Sequence, residues 1–215
     1  KTDIEISAFI SSWIAYGSRV QIIKTLDKLH AEFLSSPTNY IKEKKYQHYQ
    51  NQEQCLYRFY QEKDFFQLCE TLHTIFFEEN FSCLEDKIQS LVCQKPTAIE
   101  VLEAITKVFP NQKGIPQNTK SACKRLCLFL RWMIRKNSEV DFGIWNILQE
   151  KDLIIPLDTH VFRISKQLSL TNRKQADILT AIQITEKLKI TFPDDPLLGD
   201  YALFGYGVKH QEKTK

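Results

Sequence analysis

Apolar side chains recur every three or four residues along this chain, and this spacing constrains its fold more than any other feature of the sequence. The first segment shows the pattern with Ile6, Phe9, Ile10, Trp13 and Ile14. Such spacing lines one face of an α-helix, whereas strict alternation would indicate a β-strand. Only 6 glycines and 7 prolines interrupt the 215 residues. The sequence therefore predicts an all-α protein.

Two breaks in the apolar pattern indicate how the chain is organised. The stretch PNQKGIPQN, 110–118, holds two prolines and a glycine, and we interpret it as a connection that leads into a helix over 121–135. The apolar segment LIIPL, which follows Asp152, connects two predicted helices. We therefore expect a lobe boundary near 140–155.

Composition excludes several classes of protein. Hydrophobic residues make up 43% of the chain, which is typical of a folded protein, and no apolar run approaches the roughly 20 residues that span a bilayer. The six cysteines form no Cys-x-x-Cys pair, so we expect no zinc site, no iron–sulfur cluster and no disulfide framework. We interpret them as reduced thiols in a cytoplasmic protein.

Positive charge is concentrated in one predicted helix, although the net charge is only +3. Between Thr119 and Lys136 there are six lysines and arginines and no acidic residue. A helix with this bias is either a solvated face or an element that binds a polyanion.

Asp158 stands between an apolar run and a predicted helix in DLIIPLDTHVFRISKQL, 152–168. One interpretation makes it a helix N-cap, whose carboxylate accepts hydrogen bonds from the first free N–H groups. The other makes it catalytic, because a carboxylate at a helix N-terminus stays ionised and keeps a fixed direction. Lys124, near the start of the basic helix, is a candidate partner. An extended return between the two helices would bring both side chains to one cleft.

The segments around both residues resemble the helix-hairpin-helix DNA glycosylase superfamily, which includes endonuclease III and the archaeal 8-oxoguanine DNA glycosylases. The motifs that carry the resemblance are KRLCLFLRWMIR, which begins at Lys124, and PLDTHVFR, which contains Asp158. EISAFISSWIAYG is similar to the first barrel helix of the superfamily, and GDYALFGYGV stands in the place of its last helices. The resemblance covers nearly the whole chain and is closest to a bacterial branch without an assigned function.

The resemblance implies two helical lobes around a cleft: a barrel-like lobe over 1–150 with the hairpin, and a C-terminal lobe over 151–215. Because the chain begins at Lys1 instead of a methionine, we expect preceding residues to complete the second lobe. The superfamily hairpin usually has two glycines before the lysine, but NTKSACK has none. We expect either a remodelled hairpin or contacts from Asn118, Thr119 and Ser121 in place of bare backbone.

The resemblance also implies roles for individual residues. Lys124 would be the Schiff-base nucleophile, with Lys120 as the alternative, and Asp158 would stabilise positive charge on the sugar. The residues expected to bind DNA are Thr119, Lys120, Ser121, Arg125, His160 and Arg163. The residues expected to line a pocket for a flipped base are Trp13, Tyr16, Trp132, Phe204 and Tyr206.

The implied function is that of a DNA glycosylase with AP lyase activity, which excises an oxidised purine such as 8-oxoguanine from double-stranded DNA. We expect a monomer that needs no metal or other cofactor and has no membrane partner. The alternative is a DNA-binding module of the same fold without catalysis. The altered hairpin favours the module, whereas the pairing of Lys124 with Asp158 favours the enzyme.

Overall fold

The computed structural model describes residues 1–136 and 138–209, which form two compact units. Unit 1 comprises residues 1–94 and 103–117, and unit 2 comprises 95–102 and the described residues from 118 onward. This division differs from the predicted boundary at 150, because the segment 118–150 packs with the residues that follow it. Lys124 and Asp158 therefore belong to the same unit.

Unit 1 is helical apart from one small β-hairpin. Its elements are α1 (Thr2–Ile14), α2 (Arg19–Glu32), α3 (Pro37–Lys42), β1 (Cys55–Tyr57), β2 (Tyr60–Gln61), α4 (Glu62–His73) and α5 (Leu84–Gln89). The two strands pair antiparallel. The hairpin was not predicted, because strands of this length are too short to show an alternating pattern.

The apolar face predicted for α1 forms part of the core of unit 1. All five of its predicted apolar residues are buried. Phe9 stacks on Phe109 with ring centroids 4.4 Å apart. The apolar spacing identified these five positions correctly, but α1 buries more than this face, since Glu5, Ala8 and Ser12 are buried as well.

Unit 2 contains the segments that carry the candidate site. Its helices are α7 (Lys124–Ile134), α8 (Thr159–Gln167), α9 (Ile178–Lys189) and α10 (Leu198–Lys209), and α6 (Ala98–Val108) is divided between the two units. The described residues are therefore mainly α-helical, as predicted. Each described helix is too short or too polar to cross a bilayer.

The segment before Asp158 runs extended through the interior of unit 2, as the sequence predicted. Leu153, Ile155 and Leu157 are buried, and the Ile155 N–H donates to Thr185 Oγ1 on α9 at 3.0 Å. This hydrogen bond satisfies a buried backbone group that has no helical partner. The position of Asp158 is thus determined by the core on one side and by α8 on the other.

Helices α8 and α10 pack closely against each other at Gly207. A Cβ added to this glycine would lie 3.0 Å from the Cβ of His160. The Arg163 guanidinium also donates to the Gly207 carbonyl at 2.8 Å. A Cβ at this distance would be tighter than an ordinary van der Waals contact, so glycine suits the close approach of α10 to the start of α8.

Candidate active site

Lys124 is the first residue of α7, three residues later than the predicted start of this helix. Cys123 precedes it with φ 48° and ψ 30°, the left-handed conformation that glycine adopts most readily. For a residue with a Cβ this conformation costs roughly 1–2 kcal/mol. The chain thus makes the turn into α7 without a glycine, and Lys124 lies directly after that turn.

The two carboxylate oxygens of Asp158 have different partners. Oδ1 accepts a hydrogen bond from the Val161 N–H at 2.8 Å, which makes Asp158 the N-cap of α8. Oδ2 lies 3.5 Å from Lys124 Nζ. The side chains are 11% exposed for Asp158 and 38% exposed for Lys124. One oxygen therefore holds the carboxylate in place while the other faces an amine that solvent can reach.

Asp200, in the first turn of α10, is a further charged residue of unit 2 that was not predicted from the sequence. It is only 5% exposed and accepts a hydrogen bond from Arg131 Nη1 at 2.7 Å. Burial raises the pKa of Asp200 to about 6, with a smaller contribution from the negative charge of Asp158, while Arg131 and Lys124 act in the opposite direction. The sequence signal that could have identified Asp200 is the presence of an acidic residue in the apolar stretch GDYALFGYGV.

Asp200 is one end of a buried arginine–aspartate network, formed by Arg131, Arg135, Asp141, Asp195 and Asp200. Arg131 contacts Asp141 at 3.3 Å, and Arg135 contacts Asp141 at 2.9 Å and Asp195 at 2.7 Å. The Tyr201 ring covers both guanidinium groups, at 4.7 and 5.5 Å from its centroid. Arg131 and Arg135 therefore belong neither to a solvated face nor to a surface that binds a polyanion, since both are buried in ion pairs.

The predicted DNA-binding residues before α7 lie close to Lys124 along the chain. Lys120 and Ser121 are exposed, and the Lys120 N–H donates to the Asn118 side chain at 3.0 Å. The Ser121 backbone pairs with that of Asp177. Thr119 is half-exposed, and so is Arg125, the second residue of α7. Contact of these residues with DNA stays a prediction. Lys120 lies before the first residue of α7, so it is not one helical turn from Lys124 in the same helix.

The two predicted DNA-binding residues on α8 contact α10. The His160 ring meets the Phe204 ring edge to face, with centroids 6.0 Å apart. The Arg163 guanidinium donates to the Gly207 carbonyl. Both side chains therefore contribute to helix packing, and contact with phosphate stays a prediction for them.

The five predicted base-pocket residues are divided between the units. In unit 1, Trp13 is 2% exposed, stacks on Tyr60 at 4.0 Å and donates to the Lys113 carbonyl at 2.7 Å. Trp13 is thus a core residue whose ring offers no open face to a base, because its apolar surface packs inside its own unit. Tyr16, also in unit 1, is half-buried and contacts the aromatic residues of the β-hairpin.

The other three predicted pocket residues lie in unit 2. Phe204 and Tyr206 are exposed on α10, and Trp132 is half-buried on α7. Exposed aromatic rings on these helices can stack with an unpaired base. A pocket role for these three residues stays a prediction.

The cysteines on either side of Lys124 are packing residues. Cys123 and Cys127 are buried, and burial raises the pKa of both thiols. A thiol in such surroundings stays protonated at neutral pH and is unreactive. Among the described residues, no group of three His, Cys, Asp or Glu side chains is arranged to hold a metal ion.

Comparison with known proteins identifies a family but no activity. The profile of the family described as "Protein of unknown function (DUF2400)" matches residues 1–209. No curated protein and no solved structure matches the chain significantly.

Proposed function

The chain belongs to this DUF2400 family, and from the geometry of its second unit we propose that it is a DNA glycosylase with AP lyase activity. The observation that carries the proposal is the 3.5 Å distance between Lys124 Nζ and Asp158 Oδ2. An amine and a carboxylate at this separation are the two groups that such a reaction needs. The proposed substrate is duplex DNA that contains an oxidised purine such as 8-oxoguanine.

Asp158 stabilises the positive charge that develops on the sugar as the base leaves. The charge is opposed most effectively by a carboxylate that is already oriented, because no reorganisation is then needed in the transition state. The hydrogen bond from the Val161 N–H supplies this orientation. The low exposure of Asp158 limits screening by water, which strengthens the interaction.

Lys124 attacks the sugar C1′ as a neutral amine and displaces the damaged base. The departing base takes up the proton that the amine loses. The sugar ring of the adduct then opens, because the C1′–O4′ bond breaks and O4′ takes up a proton, and this gives a Schiff base between C1′ and the Lys124 nitrogen. β-Elimination of the 3′ phosphate from the Schiff base breaks the DNA strand. The solvent exposure of the amine supports the proposal as well, because the nucleophile must reach its substrate.

Trapping with borohydride tests the proposal, because borohydride reduces a Schiff base to a stable covalent adduct. The full chain would be incubated with a panel of duplexes that each contain one lesion, and with an undamaged duplex. We expect a covalent adduct and base release with at least one lesion and neither with the undamaged duplex. Binding without an adduct across the whole panel would instead support the module without catalysis.

We also expect binding to duplex DNA to weaken steeply with salt, and Lys120→Gln to lower the slope of log Kd against log salt by about one. The reason is that Lys120 is exposed beside the start of α7, where phosphate would bind backbone N–H groups. Lys151→Gln is the control, since this exposed lysine lies in the short turn 150–152. Fluorescence anisotropy across a salt series measures both slopes. An equal decrease in both variants would mean that Lys120 contributes only general charge.

A further inference from the structure

An exposed aromatic side chain lies at the turn of the β-hairpin in unit 1. Arg58 and Phe59 form the two-residue loop between β1 and β2, and Phe59 is 70% exposed, more than any other described Phe, Tyr or Trp. Such turns usually hold glycine, asparagine or aspartate, which adopt the required backbone conformations. Because single exposed apolar residues are common on protein surfaces, the surroundings of Phe59 decide its role.

The Phe59 ring is one half of a stacked aromatic pair. It lies nearly parallel to the ring of Tyr16, with the centroids 6.3 Å apart and 11° between the planes. The Arg58 guanidinium lies 5.7 Å from the Phe59 centroid and 5.5 Å from the Tyr16 centroid. Aromatic rings accompanied by an arginine are the groups on which proteins stack the bases of single-stranded nucleic acids.

Contacts with the end of α1 hold these three side chains in place. The Phe59 N–H donates to the Tyr16 hydroxyl at 3.2 Å, and the Tyr57 hydroxyl donates to the Tyr16 carbonyl. Gly17 has φ 94°, and a Cβ added to it would lie 2.6 Å from Arg58 Nη1, so the guanidinium lies against the Gly17 backbone. The rings and the guanidinium are therefore positioned before a ligand binds, which lowers the entropic cost of binding.

The surface around the stacked rings carries positive charge. Arg58 is exposed, and so is Arg19, the first residue of α2 and two residues from Gly17. Within residues 1–136 and 138–209, neither guanidinium forms an ion pair, and the first turn of α2 contains no acidic residue. An apolar protein partner would leave both charges without a counter-charge. A nucleic-acid strand offers a flat base to the rings and phosphates to the guanidinium groups.

We propose that Tyr16, Arg58 and Phe59 form a stacking site for single-stranded or locally unpaired DNA. An unpaired base stacks on the exposed face of Phe59, and Arg58 contacts the adjacent phosphate. The site uses neither Lys124 nor Asp158, so the inference goes beyond the proposed glycosylase and lyase activities. Because every base has a flat aromatic face, binding at this site has little sequence preference.

Phe59→Ala tests the inference in the full chain. The natural chain and the variant would be titrated into a fluorescent single-stranded oligonucleotide and into a fully paired duplex. We expect Phe59→Ala to raise the Kd for the single strand on the order of tenfold, because it removes the ring on which a base stacks. The Kd for the paired duplex should hardly change, since no base is free to stack. Phe59→Trp should restore binding of the single strand, because it restores an aromatic ring.

Phe142→Ala is the matched control, because Phe142 is also an exposed phenylalanine but belongs to unit 2. This variant should keep the natural Kd for both DNAs. Each substitution removes a side chain that is mostly in water, so the unfolding midpoint should change little in either variant. A folded Phe59→Ala chain with the natural Kd for the single strand would overturn the inference. Equal losses in the two variants would also overturn it, because they would reflect general apolar contact.

A fluorescent base analogue reports the stacking directly and separates this inference from the proposed function. Aminopurine in a single strand loses fluorescence when it stacks on an aromatic ring. We expect the natural chain and Lys124→Gln to quench it equally, and Phe59→Ala to quench it much less. Quenching by Lys124→Gln supports the stacking site even if no covalent adduct ever forms. Undiminished quenching by Phe59→Ala overturns the stacking site even if adducts form.

Sedimentation of the natural chain and of Phe59→Ala tests whether the exposed ring instead binds a second copy of the chain. We expect both to sediment alike. Self-association that is lost in Phe59→Ala, together with a natural Kd for the single strand, would assign the surface to protein contact and overturn the inference.

Discussion

Asp158→Asn is expected to reduce base excision on the order of 10³-fold, while the free energy of unfolding falls by no more than about 1 kcal/mol. Asparagine has nearly the same shape as aspartate, and its side-chain oxygen can still accept from the Val161 N–H. The lost property is the negative charge that faces Lys124 at 3.5 Å. The substitution therefore separates helix capping from catalysis.

The chain offers a closely matched control for this prediction in Asp177. This residue is the N-cap of α9, with φ −111° and ψ −179°, against −113° and −178° for Asp158. Its carboxylate accepts from the Thr180 N–H, and Arg173 is its ionic partner. Asp177→Asn should therefore lower stability to a similar extent and leave excision at the natural rate.

The measurements are single-turnover base release and thermal or denaturant unfolding of both variants. If Asp158→Asn folds, binds DNA and excises the base as fast as the natural chain, Asp158 serves only as a helix cap. Equal losses of excision in both variants would attribute the effect to helix stability.

Lys124→Gln is expected to eliminate the borohydride adduct and strand cleavage, with little change in the Kd for DNA. The physical reason is that the glutamine amide is not nucleophilic and cannot form a Schiff base. Removal of one exposed positive charge weakens binding much less than it weakens covalent chemistry, since each phosphate contact contributes only part of the affinity. Gel analysis of the trapped adduct and a binding titration measure the two effects separately.

Lys120→Gln is the matched control for the nucleophile, because it removes the neighbouring lysine from the segment that precedes α7. This variant should keep the adduct and differ from the natural chain only in DNA affinity. Loss of the adduct in Lys120→Gln, with retention in Lys124→Gln, would assign the nucleophile to Lys120. The structure favours Lys124 because its amine lies beside the Asp158 carboxylate.

The local chemistry of the candidate site could be predicted from the sequence. An acidic residue between the apolar run 153–157 and a helical pattern indicates a capped helix, and Asp158 is the cap of α8. The same segment predicted an extended return, because LIIPL contains a proline and lacks helical spacing. These features depend on residues that are close along the chain, so a sequence pattern can report them.

The surroundings of the site depend on residues that are distant along the chain. Arg131 and Arg135 belong to a strongly basic helix that looks solvated in the sequence. They are nevertheless buried in ion pairs with carboxylates from the loop after α7, from the residues before α10 and from α10 itself. Trp13 was expected to line a pocket, but Tyr60 and the Lys113 carbonyl enclose it. The sequence shows the same residue type whether a charged or aromatic side chain is buried or exposed, so it does not distinguish the two cases.

The sequence by itself determined that the chain is mainly helical, which face of α1 is buried, and that Asp158 caps a helix, because each follows from periodicity or from hydrogen bonding within a few residues. Only the tertiary structure decided that 118–150 packs with the second unit and that Asp200 pairs with Arg131. Burial and ion pairing arise between segments whose separation along the chain carries no periodic signal. The electrostatic surroundings of the candidate site therefore depend on the tertiary structure, whereas the helix ends that carry its residues are specified by the local sequence.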